Sequence, residues 1–347
     1  MNAETLAHET ASPRLEHPDT ESTPVGRAES PLDQSASDRR LADNRNTARR
    51  THMFMSLAVR LGLLTCLALT TTTWVVAQRG GGSPPADPAL VFVELGKNGT
   101  KLSVMNADGA RKTVLLTTPG LLLTPCWSPS GGSICFGIQI AGGAGLALLD
   151  VQVVNGSAVG SNFRMLVSGN WTKAAWSPDG SRIAFSNELW PGIWSVPAAG
   201  GTPTRLHAGE PEILWLAWSP DSSQIAFTTG LTGTVNVLDV ALGLSFPLCS
   251  ISGGTPSQVD WSRNGSAIVF HASATSGNGK FIYAVNATIG ATPQLVASSS
   301  WFPTWSPDGA KIAYTTGSSD SIVVRDLQTG SVTSTGAKGR FANWRRF

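Results

Sequence analysis

Few residues of this chain have the types and spacing that could support metal binding or acid–base chemistry. Beyond residue 77 the only histidines are His207 and His271, which stand 64 residues apart. As metal ligands they would need carboxylates brought to them by the fold, such as Glu210, Glu212 or Asp260. The simpler interpretation is that both are loop histidines. On that interpretation the sequence predicts no metal and no other cofactor.

Sequence motifs with a known catalytic mechanism are absent. The chain has no Gly-x-Ser-x-Gly nucleophile elbow, no His-Glu-x-x-His pair, no Walker loop and no Cys-x-x-Cys pair. An aspartate does recur in a repeated motif, at Asp179, Asp221 and Asp308, but Ser130 and Asn264 replace it in two copies. This substitution argues against a shared catalytic or metal-binding role and favours a role in turns. The residues therefore predict a non-catalytic chain.

The charge balance excludes an obvious nucleic-acid-binding surface. The formal net charge is +2 and only 14% of the residues are charged, whereas a nucleic-acid-binding domain would show a basic face. The small cluster Arg340, Arg345 and Arg346 is interpreted as a solvated segment near the end of the chain. We therefore expect no nucleic-acid partner.

The feature that organises the chain is the motif Trp-Ser-Pro-Asp-Gly. It is intact at 176–180 and 305–309, with looser copies at 127–131, 218–222 and 261–265, and a further tryptophan at Trp344. Successive tryptophans are 49, 42, 43, 44 and 39 residues apart, and a period of this size indicates a repeat architecture. The repeated tryptophans are predicted to be structural, and they are Trp127, Trp176, Trp218, Trp261, Trp305 and Trp344.

Each repeat is predicted to begin with a β-hairpin. An apolar strand ends at the tryptophan, Ser-Pro-Asp-Gly reverses the chain, and a strand such as Ile183-Ala184-Phe185 returns, because Pro fixes φ and Gly tolerates positive φ. Further strands follow in most repeats. Four short strands in about 43 residues are typical of one propeller blade, which cannot bury both faces alone and must stack on its neighbours.

These repeats resemble the β-propeller repeat of the TolB family, which is sometimes described as WD-like. The resemblance covers residues 89–347 and implies an all-β, six-bladed propeller. The family's smaller α/β domain would precede the ring, and no counterpart of it is recognised here. The resemblance also implies a protein partner, either associated with the cell envelope or with peptidoglycan.

The two ends of the repeat region are predicted to complete one blade together. Phe341–Phe347 opens a repeat that lacks its returning strand, and Ala89–Glu94 reads as a returning strand without a preceding hairpin. If these segments pair, a C-terminal strand and N-terminal strands close the ring. The five internal repeats and this composite blade then make six blades.

The residues before the propeller are predicted to form three segments. Residues 1–52 are polar with little aliphatic content and are expected to be disordered, or untranslated if synthesis begins at Met53 or Met55. Residues 53–77 are interpreted as a cleaved signal peptide or as a short transmembrane anchor, and residues 78–88 as a flexible linker. Both interpretations export the propeller, which is therefore expected to be periplasmic or secreted, or anchored to the membrane only through this segment.

Two cysteines are predicted to face each other in the first hairpin. If Trp127 faces Ile134, then Cys126 faces Cys135, and facing Cβ atoms lie about 4.5–5.5 Å apart, so a modest adjustment allows a disulfide. An exported compartment would favour the bond. The alternative is two small buried residues, since the other repeats mostly carry alanine at these positions.

Candidate binding residues are expected on one face of the ring. In a four-stranded blade, the link between blades and the link between the second and third strands emerge on the same face, and propeller ligands bind there around the central channel. The alternative for Trp171 and Trp301 is that they pack between blades as additional core. The residues predicted on this loop face are Trp171, Asn187, Glu188, Trp190, Glu210, Glu212 and Trp301.

The sequence favours an exported, monomeric propeller that binds or scaffolds a protein partner through its loop face. One alternative is an enzyme of the lactonase or lyase type acting on a small molecule or sugar, since some such enzymes are six-bladed rings with a divalent cation in the channel. Another alternative is a glycan-binding module that uses Trp171, Trp190 and Trp301.

Overall fold

The computed structural model describes residues 89–346, with gaps at 170, 188–190, 210–211, 231 and 318. Of residues 171, 172 and 187 only the backbone is described. The predicted segments 1–52, 53–77 and 78–88 lie outside the described residues. Within the described part of the chain, no helix has the length and apolar character needed to cross a membrane.

The described residues form 24 β-strands, numbered here in chain order. The strands are β1 (Leu90–Gly96), β2 (Gly99–Met105), β3 (Thr113–Thr118), β4 (Leu121–Trp127), β5 (Ser133–Ile140), β6 (Gly143–Val154), β7 (Ser157–Ser168), β8 (Trp171–Trp176), β9 (Arg182–Asn187), β10 (Ile193–Pro197), β11 (Thr204–His207), β12 (Ile213–Trp218), β13 (Gln224–Thr229), β14 (Thr234–Asp239), β15 (Leu244–Ser250), β16 (Gly254–Trp261), β17 (Ala267–Ala274), β18 (Lys280–Asn286), β19 (Gln294–Ser298), β20 (Ser300–Trp305), β21 (Lys311–Thr316), β22 (Ser321–Asp326), β23 (Val332–Lys338) and β24 (Arg340–Trp344).

The strands form six antiparallel sheets of four strands each, as the repeat predicts. Five sheets use consecutive strands, β4–β7, β8–β11, β12–β15, β16–β19 and β20–β23. The first strands of the sheets lie side by side around the ring in the order β4, β8, β12, β16, β20 and β24, and β24 contacts β4. The fold is therefore a closed six-bladed propeller with these six inner strands around its axis.

The sixth sheet confirms the predicted closure. Its strand order is β24-β1-β2-β3, so the inner strand of this blade comes from the far end of the repeat region. Trp344 pairs with Leu90 and Asn343 pairs with Val91 in the antiparallel register. We call this sheet the closing blade.

The Ser-Pro-Asp-Gly turns are held by their own side chains. In the third repeat, where the turn reads Ser-Pro-Asp-Ser, Asp221 accepts hydrogen bonds from the Ser219 hydroxyl (2.6 Å), the Ser223 hydroxyl (2.8 Å) and the Ser223 N–H (3.1 Å). These bonds lower the pKa of Asp221, the Ser219 bond most of all. Gly180 and Gly309 have φ of 76° and 70°, values that favour glycine. The recurring aspartate therefore acts as a turn residue in the described hairpins.

The core lies between blades rather than within them. Six clusters of buried apolar side chains occupy the six junctions between neighbouring sheets. The second strand of each blade contributes one buried aromatic ring, and these rings are Phe92, Phe136, Phe185, Phe227, Phe270 and Tyr314. The repeated tryptophans at the ends of the inner strands are 2–5% exposed, apart from half-buried Trp176. Burial at every junction explains why the blades need one another to fold.

Candidate functional site in the central channel

The six inner strands surround a central cavity of about 620 Å³, a volume that includes the space open to solvent. Every inner strand contributes to its wall, and Arg346, two residues after β24, also lines it. The loop face, where each inner strand begins, forms one end of this channel. The opposite face, where each inner strand ends at its tryptophan, forms the other end and is called here the hairpin face.

A β-bulge interrupts every inner strand close to the loop face. In each sheet the register between the first and second strands shifts by one residue, so the inner strand carries one extra residue. Thr124 and Pro125 lie opposite Phe136, and Phe302 and Pro303 lie opposite Tyr314. Bulges bend a strand and redirect its side chains, and they are frequent beside binding sites.

Aromatic side chains from three blades meet in the channel near the loop face. The ring of Trp215 lies 5.7 Å from that of Phe341 and 6.2 Å from that of Phe302, and the Phe302 and Phe341 centroids are 4.4 Å apart. All three are half-buried. Since β12 and β24 lie on opposite sides of the ring, Trp215 reaches across the channel. We call Trp215, Phe302 and Phe341 the aromatic mouth.

Two residues of the aromatic mouth have a left-handed backbone conformation, as does Thr124 at the corresponding bulge of β4 (φ of 45°). Phe302 has φ of 59° and Phe341 has φ of 57°. A bulky residue in the left-handed region is uncommon because its Cβ crowds the following carbonyl oxygen. The strain is maintained by the surrounding ring, and strained positions of this kind cluster at ligand-binding sites.

The residue just before each repeated tryptophan lines the channel, and its type varies around the ring. These six residues are Cys126, Ala175, Ala217, Asp260, Thr304 and Asn343. On one side of the ring, the side chain at this position in one blade accepts a hydrogen bond from the backbone N–H of the repeated tryptophan in the next blade. Asp260 accepts from Trp305 N (2.8 Å), Thr304 from Trp344 N (3.3 Å) and Asn343 from Trp127 N (3.2 Å). We call Asp260, Thr304 and Asn343 the polar arc.

Asp260 is the charged centre of the polar arc. Its side chain is 6% exposed, and one carboxylate oxygen accepts hydrogen bonds from the Thr304 hydroxyl (2.9 Å) and from Trp305 N. The other oxygen forms an ion pair with the Arg346 guanidinium. Arg346 is held in turn by its carbonyl oxygen, which accepts a hydrogen bond from Arg263. Burial lowers the pKa of Arg346 to about 10, so it remains cationic at neutral pH.

The position of the arginines corrects the expectation of a solvated cluster. Arg346 lies in the channel on Asp260, and Arg340 pairs with Asp320 at 2.9 Å. The Arg345 guanidinium lies 5.4 Å from the centroid of the Trp127 ring, within the range of a cation–π contact. These three side chains therefore contact separate partners and do not form one patch.

Gln258 is a buried polar side chain that faces the channel with unused hydrogen-bonding capacity. It is 8% exposed and lines the cavity. Its amide nitrogen lies 3.4 Å from the Pro303 carbonyl, whereas its carbonyl oxygen has no partner among the described residues. A buried acceptor without a donor costs about 1–3 kcal/mol unless a bound molecule satisfies it.

His271 corrects the expectation of a loop histidine. It lies in β17, 7% exposed, opposite the bulge that Ser257 and Gln258 form. The Ser257 hydroxyl is 2.5 Å from Nδ1, and the Ser273 hydroxyl is 3.4 Å from Nε2. Burial, together with the nearby Lys280 charge, lowers the pKa of His271 to about 4. A base of such low pKa is poorly matched to proton transfer at neutral pH.

The other histidine does not join this site. His207 ends β11 at the outer edge of its blade, and its Nδ1 lies 3.0 Å from the Gly243 carbonyl oxygen. Among the described residues, no group of three or more His, Cys, Asp or Glu side chains could hold a metal ion. The structure thus keeps the two histidines apart.

Of the predicted loop-face residues whose side chains the structure describes, Trp301 lies beside the aromatic mouth. Trp301 is half-buried in β20, with its ring edge-on to Phe302 at 6.5 Å and the Lys280 ammonium 4.4 Å from its centroid. Trp171 pairs with Asn187 at the start of its blade, and exposed Glu212 directly precedes β12. The predicted candidates Glu188, Trp190 and Glu210 lie outside the described residues.

Cys126 and Cys135 face each other in the predicted register. In the structure both are free thiols, and a hydrogen bond with Cys126, followed by burial, raises the pKa of Cys135 well above its usual value. The disulfide stays a prediction. Cys249 is a separate buried thiol whose pKa burial raises to about 11.

The residues of the aromatic mouth were missed by sequence reasoning, although two signals were present. Pro125 and Pro303 stand two residues before repeated tryptophans, inside strands that are otherwise apolar. Proline cannot donate to a sheet ladder and is found at bulges or edges, so these prolines indicated a bulge at this level. Trp215 was a second signal, since it lies outside the repeat pattern. Nothing local indicated that Arg346 would reach Asp260.

The six sheets and the channel between them define the chain as a six-bladed β-propeller. Residues 87–335, more than half of the chain, match the family described as the TolB beta propeller domain. The chain belongs to this family. No curated protein is significantly similar to it in sequence.

Solved structures support the same fold. TolB from Acinetobacter baumannii is similar with a TM-score of 0.62 and 17% identity, over 75% of this chain and 67% of that chain. A putative TolB from Agrobacterium tumefaciens has a TM-score of 0.56 and 21% identity, over 72% and 89% of the two chains. A chain of a nidogen/laminin complex has a TM-score of 0.61 and 11% identity, over 75% and 98%. At these identities the likeness concerns the fold alone.

Proposed function

We propose that this protein is a non-catalytic binding module, acting outside the cytoplasm, that docks a protein partner on its loop face. The aromatic mouth is the observation that carries the proposal. Large aromatic side chains dominate the energy of protein interfaces, and they do so when they sit at the centre of a patch that can be desolvated. Trp215, Phe302 and Phe341 are half-buried near the axis of the ring, with Trp301 beside them.

The location outside the cytoplasm rests on the interpretation of residues 53–77 as a signal peptide or membrane anchor. An association of the partner with the cell envelope is what membership of the TolB propeller family suggests. The nidogen/laminin chain is a propeller of similar fold from a structure whose name describes a protein–protein complex. It supports protein docking as a use of such rings, without identifying a partner for this one.

No specific contact favours the two alternatives. A glycan platform would need an open ring face, but Lys280 lies over the Trp301 ring. A lactonase-type enzyme would need a divalent cation held by inward-facing carboxylates or histidines. Asp260 is the carboxylate that lines the described cavity, and it is engaged by Arg346, Thr304 and Trp305.

Site-specific photo-crosslinking tests the proposal. A photoreactive phenylalanine analogue placed at position 301 or 215 should yield the same crosslinked protein from cells that produce the full chain. The control position is Ile289, an apolar residue that is 69% exposed and follows β18, away from the channel. Crosslinks to one partner at 289 as well as at 301 and 215, or to none at any position, would place the interface elsewhere.

A further inference from the structure

The channel below the aromatic mouth contains a built site for a positively charged organic group. Its acidic element is Asp260, a buried carboxylate, and its current occupant is the guanidinium of Arg346. Gln258, two residues earlier on the same strand, lines the cavity, and its buried carbonyl oxygen has no donor among the described residues. A buried carboxylate and an unpartnered amide oxygen thus belong to residues that line the described cavity, and Arg346 is the basic side chain in its lining, which is the chemistry of a cation receptor.

The aromatic mouth adds a second element of the same chemistry. Trp215 and Phe341 line the same cavity as Asp260 and Gln258. Aromatic faces attract ammonium and guanidinium groups, and the attraction grows when water is excluded. Two residues of strand, roughly 7 Å, separate the level of the aromatic rings from that of Asp260. One long basic side chain can therefore contact both levels.

We propose that this site binds the arginine or lysine side chain of a partner segment, and that Arg346 is an internal occupant which such a side chain replaces. The inference rests on the proposed docking at the loop face and names the group that is recognised there. Exchange of one cation for another keeps Asp260 paired throughout, so the buried carboxylate is never left without a counter-charge. The incoming side chain additionally gains the Gln258 carbonyl and the aromatic rings.

Chemical rescue of an Arg346→Ala variant of the full chain tests this proposal. Removal of the guanidinium leaves Asp260 buried without its cation, so the melting temperature should fall. N-acetyl-L-arginine amide should then raise the melting temperature, by about 5 °C at a hundredfold excess over its dissociation constant. N-acetyl-L-citrulline amide, which has the same shape without the charge, should not. Equal rescue by both compounds, or by neither, would overturn the proposal.

Two variants separate a specific site from a general effect of the additive. Arg340→Ala removes a surface partner of Asp320, and its stability should not respond to the arginine compound. Asp260→Asn, made in the Arg346→Ala protein, keeps an oxygen for the Trp305 N–H and removes the charge, so it should reduce binding of the arginine compound at least about tenfold relative to Arg346→Ala alone. Unchanged binding by Asp260→Asn, measured by calorimetry on protein with an intact cooperative transition, would place the cation elsewhere.

The source of the cation is tested with the same Arg346→Ala protein. A capped heptapeptide with a central arginine should bind more tightly than the single-residue compound, because its flanking residues reach the aromatic mouth, and the gain should disappear in Trp215→Ala. A single-residue compound that binds as tightly as the peptide would contradict a partner segment and indicate a free small cation. Crosslinking at positions 301 and 215 without rescue would refute this inference and leave the docking proposal standing.

Discussion

Two sides of the channel wall use the same repeat position in different ways. Ala175 and Ala217 offer only a methyl group before their tryptophans, and a contact there runs through the backbone, with the Trp218 indole N–H donating to the Ala175 carbonyl oxygen at 3.0 Å. In the polar arc the side chains of Asp260, Thr304 and Asn343 accept the tryptophan N–H of the next blade. The junctions with alanine depend on apolar packing, whereas the polar arc adds directed bonds between strands that share no sheet.

The difference shows where the repeat has specialised. A residue whose role is only to pack neighbouring blades together should be of the same type in all blades. The buried aromatic residue of the second strand fits this expectation, since it is phenylalanine in five blades and tyrosine in the sixth. The position before the tryptophan instead changes from alanine to a charged residue. That charge is buried and lies in the cavity, and burying a carboxylate is expensive unless it is paired. The polar arc therefore forms hydrogen bonds between neighbouring blades, and it also supplies the buried charge of the channel wall.

Removing one member of the polar arc together with its strand should cause the largest loss of stability. Deletion of Phe341–Phe347 removes the inner strand of the closing blade, along with Asn343 and its bond to Trp127. The melting temperature should fall by more than about 10 °C, or the cooperative transition should disappear. Deletion of 345–347 alone is the control, since it keeps β24 but removes Arg346 from Asp260, and its melting temperature should fall by less than that of the longer deletion. Equal melting of the longer deletion and the intact chain would contradict ring closure by β24.

Asp260→Ala should cause the next largest loss. It leaves the Trp305 N–H and the Arg346 guanidinium without their buried acceptor, and removal of one partner from a buried ion pair costs about 3–5 kcal/mol. Asp320→Ala is the matched control, because the Arg340–Asp320 pair is more exposed and should contribute less than about 1 kcal/mol. Denaturant unfolding of the two variants measures both values. Similar losses of stability in the two variants would show that the Asp260 contacts contribute no more than an exposed ion pair.

His271 extends the comparison to the strand behind the polar arc. The residue opposite the bulge is Phe92, Phe136 or Tyr314 in three other blades, but a histidine in this one. Burial lowers its pKa to about 4 from an ordinary value of 6.5. Between these pH values His271 therefore binds a proton in the unfolded chain but remains neutral in the folded chain. Stability should be fully present above pH 6.5 and decline as the pH falls towards 4, by up to about 3 kcal/mol.

The variant His271→Gln separates this effect from the general acid response of the carboxylates. Gln cannot take up the proton, so its stability should change less between pH 6.5 and pH 4 than that of the intact protein. Unfolding free energies at several pH values provide the test. Parallel curves for the two proteins would mean that His271 is protonated in the folded state as readily as in the unfolded chain.

The sequence predicted the ring because its signals are local and repeated. A tryptophan, a turn such as Pro-Asp-Gly and a returning strand lie within about ten residues. Five copies of this pattern predict five blades, and the two end segments predict the sixth blade and the closure. The channel site lacked such signals, because its contacts join residues far apart in sequence, such as Trp215 with Phe341 and Asp260 with Arg346. A charged residue before Trp261 was visible, but only the ring brings Arg346 to it. Of the candidates chosen from loop position, Trp301 is the one whose described side chain lies beside the aromatic mouth.

Cys126 occupies the one position of the six that belongs to neither side of the channel wall, and changing it should have the smallest effect. The Cys126→Ala variant gives this blade the residue that two other blades already use, so its stability should fall by less than about 1.5 kcal/mol if Cys126 is a thiol. If it is bonded to Cys135, loss of the bond should cost about 2–4 kcal/mol. Thiol titration of the denatured, unreduced protein decides between these cases, because a disulfide lowers the count by two relative to reduced protein. A free thiol and a small loss of stability would group Cys126 with the alanine side of the wall. A disulfide between Cys126 and Cys135 would instead make this blade a third type, with a covalent bond between its first two strands.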